Sequence, residues 1–246
     1  MPRRPTKFPR LGDRDYEIFE HLLRYRLTTR EVLHRLFFSD SEPNAVTKVT
    51  SRLVQHGYLN RYELYPPRSY FVVGPPAARF LGLSPKKTRA LGPQALVQEY
   101  GTLAYCCLSN EPRERLTVSE LQKRYPQLLA RKLDSSHYYL DNDGEVTRLA
   151  YIRVDQGGPA DHVLRKCRED LDTRYEHKPF RELIDAGRLL IAVVTARQEK
   201  ADQIHEAIQR HTWPNRFRIE VVPELIHLIP RLQRAPILAE NPEALA

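Results

Sequence analysis

Long hydrophobic runs are missing from this chain. No stretch approaches the roughly eighteen apolar residues that span a bilayer, and the start, MPRRPTKFPRLGD, carries no apolar segment of the secretory kind. A membrane span is therefore not expected, and a cytoplasmic location is. Cysteine is scarce as well, with only Cys106, Cys107 and Cys167. An odd count, two of them adjacent and none in C-x-x-C spacing, argues against a disulfide framework or a thiolate zinc site and leaves small buried hydrophobes. Glycine makes up ten of 246 residues, and the stretch GGPAD lacks the Lys-Ser/Thr of a phosphate-cradling loop. The nine histidines form no H-x-x-x-H pair with a glutamate, and His162, His205 and His227 fall in expected helices, where surface or core roles are the default. Ser119 and the pair Ser135–Ser136 have no nucleophile-elbow setting. No cofactor, metal or small-molecule ligand is expected on these grounds.

What is present is charge, unevenly spread. The whole chain carries a formal +8, 41% hydrophobic and 28% charged residues, the balance of a globular protein. Residues 1–90 hold 17 Lys+Arg against 8 Asp+Glu, and the remainder holds 22 against 23. All the excess positive charge lies in the first third, as expected for a polyanion-binding module joined to a nearly neutral one. The length suits two packed cores.

Within the basic third, Ile18, Phe19, Leu22 and Leu23 form one stripe of a helix over 14–24. TTRE opens a second helix, with Thr28 as cap and Glu31 three residues on, in capping-box spacing, and Val32, Leu33, Leu36 and Phe37 form its expected buried face. A third helix over 44–56 follows Pro43, which suits a first helical turn, and is stopped by Gly57. Val46, Val49 and Leu53 make its inner face, while Asn44, Thr47, Lys48, Ser51, Arg52 and Gln55 lie opposite and can reach phosphates or base edges. YLNRYELYPPRSYFVVG then reads as a hairpin broken at Pro66-Pro67, with Arg61 on its first strand and Arg68 at its tip.

Three short helices and a hairpin, carried by REVLHRLF, NAVTKVTSRLVQHGYL and YPPRSYFVV, resemble the winged helix-turn-helix family over residues 11–83. The resemblance implies a third helix in the major groove of double-stranded DNA and a wing on the adjacent backbone. Asn44, Thr47, Lys48, Ser51, Arg52, Gln55, Arg61 and Arg68 are then contact candidates. Residues 1–10, with Arg3 and Arg4 among prolines, read as a basic arm able to follow a groove or phosphates.

Residues 84–93, rich in Pro, Gly and basic residues, read as a linker. Beyond it come a long helix over 94–109, a shorter one capped at Thr117 or Ser119, and two strands joined across Asn142-Asp143-Gly144. A charged helical stretch from Ala160 precedes the apolar strand RLLIAVVTA, a helix over 198–211, the strand FRIEVVP, a short helix ELIHLIPRL and a tail over 234–246. Helix, strands, helix, strand, helix, strand is an order that resembles the restriction-endonuclease-like core of the PD-(D/E)xK superfamily, giving an α/β domain over 94–233. The whole chain thus resembles the replication-relaxation family of plasmids and other mobile elements: an α+β winged helix followed by an α/β nuclease-like domain. The resemblance implies a DNA-binding regulator of transcription, replication or mobilisation, expected to act as a homodimer on a palindromic site.

An enzymatic alternative centres on LAYIRVDQG, a strand ending on Asp155 before a Gly-Gly bend. Metal-dependent cleavage needs carboxylates converging on Mg²⁺, usually with a lysine. Asp141, Asp143, Asp155 and Lys166 are the candidates. Arg153 stands where an inner acid is wanted, and it should repel a metal and pair with Asp141 or Asp155 instead. The favoured reading is a turn-capping Asp155 and a nuclease-like shell without a competent site.

Overall fold

The computed structural model describes residues 11–111, 113–129, 133, 135–143 and 146–229. The basic arm, with Arg3 and Arg4, and the tail over 234–246 lie outside the described residues. The fold is mixed α+β, with helices around one three-stranded antiparallel sheet and one four-stranded mixed sheet.

Helix α1 (Asp13–Tyr25) buries Ile18, Phe19, Leu22 and Tyr25, and the Asp15 carboxylate accepts the backbone N–H of Gly12 at 3.0 Å, closing its first turn. Thr28 and Thr29 form β1, so the cap of α2 (Arg30–Phe37) falls one residue later than the sequence suggests: Thr29 Oγ1 accepts from Val32 N at 3.3 Å. Glu31 is consequently not in capping-box register with its cap. Val32 and Leu33 are buried, whereas of the other two residues expected inside Leu36 is 43% exposed and Phe37 half-buried.

In α3 (Pro43–Gln55) Val46, Thr50 and Leu53 point into the core. Thr50 takes the place expected for Val49, which is half-buried, and its buried hydroxyl is satisfied by donating to the Val46 carbonyl at 2.8 Å. The helix stops at Gly57, with φ +75°, where Tyr58 N–H returns to the Leu53 carbonyl. Strands β2 (Leu59–Tyr65) and β3 (Arg68–Val73) form the hairpin, and β1 adds to its other side in the order β1-β3-β2. A short helix α4 (Pro75–Phe80) follows.

Residues 84–93 do not hang free of the hairpin. The Thr88 carbonyl accepts from Asn60 Nδ2 at 2.8 Å and from the Tyr62 hydroxyl at 2.9 Å, and the Tyr70 hydroxyl accepts from Leu91 N–H. Helix α5 (Pro93–Cys107) is buried nearly all round, as an apolar helix must be. One side meets Tyr25, Leu27, Val32 and Val72, and the other meets Ala150, Ile152 and Val154, so one hydrophobic cluster runs from the first sheet to the second. Cys106 and Cys107 sit in it as buried free thiols.

After α6 (Val118–Arg124), capped reciprocally by Thr117 and Glu120, the second sheet takes shape. It runs β4 (Tyr138–Asp143), β5 (Val146–Val154), β6 (Leu189–Thr195), β7 (Arg216–Val221) in spatial order, antiparallel for the first pair and parallel thereafter. Helices α7 (Ala160–Tyr175), α8 (Lys178–Asp185) and α9 (Gln198–Gln209) form the parallel crossovers. They pack together on the face made by Leu149, Tyr151, Ile191 and Val193, opposite α5. Every residue of β6 is buried, which accounts for its unbroken apolar run. The short helix expected from Glu224 is a single 3-10 turn, Pro223–His227. Among the described residues, no helix is long and apolar enough to cross a membrane.

Candidate functional site

Two regions concentrate candidate chemistry. The first is the outer side of α3 together with the hairpin. Because Val46, Thr50 and Leu53 fix the buried side, 3.6-residue periodicity turns Asn44, Lys48, Ser51 and Gln55 outward, and all four are exposed; Thr47 is half-buried. Arg52 departs from this group. Its guanidinium bonds the buried Asp15 carboxylate at 2.6 Å, which ties α3 to the first turn of α1. Arg68 is likewise engaged: it bonds Glu31 at 3.0 Å and lies 3.9 Å from Glu224. Tyr65 stacks on His227 at 4.6 Å beside it, so the hairpin tip rests on the turn after β7.

Arg61 donates to Ser69 Oγ at 2.9 Å and, with Arg30 and Arg68, borders a cavity of about 320 Å³ floored by Phe71. Arg30 was not among the residues singled out from the sequence. Its Nε is buried with no hydrogen-bond partner, and burial, with the Arg61 charge as a second cause, pulls its pKa below the usual guanidinium value. Arg30 and Arg61 thus bring two guanidinium groups to one concavity, whose wall also carries Glu31, already bonded to Arg68. Only the strand order β1-β3-β2 brings residues 30 and 61 together, a relation no sequence spacing reveals.

The second region is the carboxyl end of β5. Asp155 is 3% exposed; its Oδ1 accepts the Gly157 N–H at 2.9 Å, the turn-capping role expected of it. Its other oxygen bonds Lys200 Nζ at 2.5 Å, and Lys200 also donates to the Gly158 carbonyl. Arg153 pairs with neither acid expected for it. It reaches across to Asp170 on α7, because it projects to the helix-covered face of the sheet while Asp155 lies beyond the strand end. Lys166 lines the same crevice as Asp155 but bonds Glu169 at 2.6 Å.

Asp141 sits far away. It is opposite Arg148 in the β4–β5 register, seven residues back from Asp155. At about 3.3 Å per residue that is roughly 23 Å, too far for two carboxylates to share one ion. Asp141 instead accepts from Arg218 and from the Tyr139 hydroxyl, each at 3.2 Å. The side chain of Asp143 lies outside the described residues. Among those described, no group of three or more His, Cys, Asp and Glu residues is placed to hold a metal ion. The two described acid candidates are thus not brought together, although Lys166 shares the crevice of Asp155: Asp141 stands at one end of the sheet with Arg218, and Asp155 at the other with Lys200.

No family model, curated protein or solved structure matches the chain.

Proposed function

We propose that this chain is a site-specific double-stranded DNA-binding protein. In this reading residues 11–83 act as a winged helix and the second sheet with its helices serves as a nuclease-like assembly scaffold. A regulator of transcription, replication or mobilisation on a mobile element, of the replication-relaxation kind and acting as a homodimer, fits that arrangement. The observation that carries the reading is the exposed row Asn44, Lys48, Ser51 and Gln55 on α3, backed by a buried face and set in the chain's basic third. Such a row offers amide, hydroxyl and ammonium groups of the kinds that bond base edges and phosphates. Arg30 and Arg61 supply a neighbouring cationic concavity for a backbone phosphate. Arg52 and Arg68 take a smaller part, since both already hold carboxylates.

Cleavage is the weaker reading, because Asp155 and Asp141 are each neutralised by a cation at opposite sheet ends. The test is a fluorescence anisotropy titration against the DNA upstream of the chain's own gene, at two salt concentrations, with and without Mg²⁺, followed by a denaturing gel. Competitor-resistant binding, intact DNA and a log–log salt slope of roughly −4 per half-site are expected for about four phosphates neutralised. Cut DNA in Mg²⁺ alone would revive the nuclease. An absence of salt-dependent binding would point to a protein-binding adaptor.

A further inference from the structure

A crevice of about 840 Å³ opens at the carboxyl end of β5, between the start of α5 on one face of the sheet and the start of α7 on the other. Its volume is that of a small-molecule site. It lies just beyond the carboxyl end of β5, the end of the parallel strands at which open α/β sheets receive ligands. Behind it lies packed core, Val97, Val154, Val163 and Ile229 being under 5% exposed, and the apolar side chains open to the crevice are Pro93, Ala95 and Pro159. Its rim is cationic, with Lys166 half-exposed and Arg153 held in place by Asp170. The one acid in the wall, Asp155, is neutralised by Lys200 and does not repel an anion.

We propose that this crevice binds a small organic anion, its carboxylate or phosphate group at Lys166 and Arg153 and its apolar body against Pro93, Ala95 and Pro159. Lys166 is free to turn toward such a ligand, because its bond to Glu169 is a solvent-exposed i,i+3 pair of little strength. The backbone N–H groups of Gln94 and Ala95, in the first turn of a helix without a side-chain cap, add donors on the opposite rim. A neutral ligand of the same shape would leave these donors unanswered.

The full-length chain should be titrated calorimetrically with benzoate and phenyl phosphate, with benzamide as the neutral counterpart. One saturable site per chain for at least one of the two anions, at least tenfold weaker binding of benzamide, and a tenfold or greater loss in Lys166→Gln are expected. Ala95→Trp, which fills the crevice from its rim, should abolish binding, while circular dichroism and Tm report that both variants keep their fold. Failure of both anions to saturate, equal binding of benzamide, or binding indifferent to both substitutions would overturn the proposal. DNA plays no part in this assay, so its outcome stands apart from the nucleic-acid reading.

Discussion

Replacing Lys200 with methionine tests whether Asp155 is a structural or a metal-binding carboxylate. The Asp155 side chain is 2% exposed and that of Lys200 15%, so the pair at 2.5 Å is largely withdrawn from water. Removing one member of a buried pair costs about 3–5 kcal/mol, mostly from the charge left behind. Asp155 would still accept the Gly157 N–H, and Met keeps the apolar length of the stem, so the lower end, about 3 kcal/mol, applies. For a chain of this size that corresponds to a fall in Tm of roughly 6–12 °C. Adding Asp155→Asn should restore most of the loss, because asparagine keeps the turn bond and removes the stranded charge. Thermal and urea melts of the two single variants and the double variant measure the coupling directly. Mg²⁺ at millimolar concentration should leave the wild-type Tm unchanged. A Lys200→Met variant within about 0.5 kcal/mol of wild type would refute the reasoning, as would a Mg²⁺-dependent gain in Tm that Asp155→Asn loses, since a ligand at a hundred times its Kd adds about 2.7 kcal/mol.

Other expectations are independent of that pair. Lys48→Ala should lower the salt slope of DNA binding by about one while leaving stability within about 0.5 kcal/mol. Arg52→Ala should cost about 1–2 kcal/mol of stability, because Asp15 loses its partner, and urea midpoints beside DNA titrations separate the two effects. Gly74→Ala should cost about 3 kcal/mol or more, since a Cβ there would lie 1.9 Å from the Gly57 carbonyl oxygen. Gly82→Ala, with positive φ but open space around it, should cost only about 1 kcal/mol. Burial, aided by Arg24, pulls the pKa of His21 down to about 4, while its ring bonds Thr28 Oγ1 at 3.0 Å. The unfolded chain therefore takes up this proton near pH 6.5, before the folded one does. Stability from this residue is complete above pH 6.5 and drains away between pH 6.5 and 4, by roughly 3 kcal/mol. A His21→Gln variant should lack that slope in pH-dependent denaturation.

Local signals proved readable in the sequence and tertiary partnerships did not. Pro43 at a first helical turn, Gly57 at a stop and the unbroken run of β6 are each dictated by a residue's own backbone or by burial on both faces, so periodicity and punctuation located them. The turn-capping oxygen of Asp155 belongs to the same kind, being bonded two residues away. Arg153 shows the limit. Its charge was expected to find Asp141 or Asp155, yet its partner Asp170 lies seventeen residues on and faces it only because α7 folds back over the sheet. Lys200, forty-five residues from Asp155, and Arg30, thirty-one from Arg61, carry no spacing signal at all. Arg52 is a sharper case, since helical periodicity turned it outward with Lys48 while the acid that holds it sits on another helix.

Helix α5 gives these separate sites a common mechanical element. Its first turn forms one rim of the β5 crevice, and its later residues pack against Tyr25, Leu27 and Val32, which also support α1 and α2. Gly101 brings it so close to β5 that a methyl group there would meet Val154 Cγ1 at 2.6 Å. Well-packed interiors yield by discrete rearrangement rather than by smooth compression. A ligand bound against Pro93 and Ala95 therefore presses on a helix against which α1 and α2 are packed. Coupling of anion binding to DNA affinity follows if the crevice favours one position of α5. By linkage DNA would then change the affinity for the anion by the same factor. Measuring benzoate binding with and without DNA, and DNA binding with and without benzoate, gives two factors that must agree. Equal affinities in all four titrations would show that α5 transmits nothing.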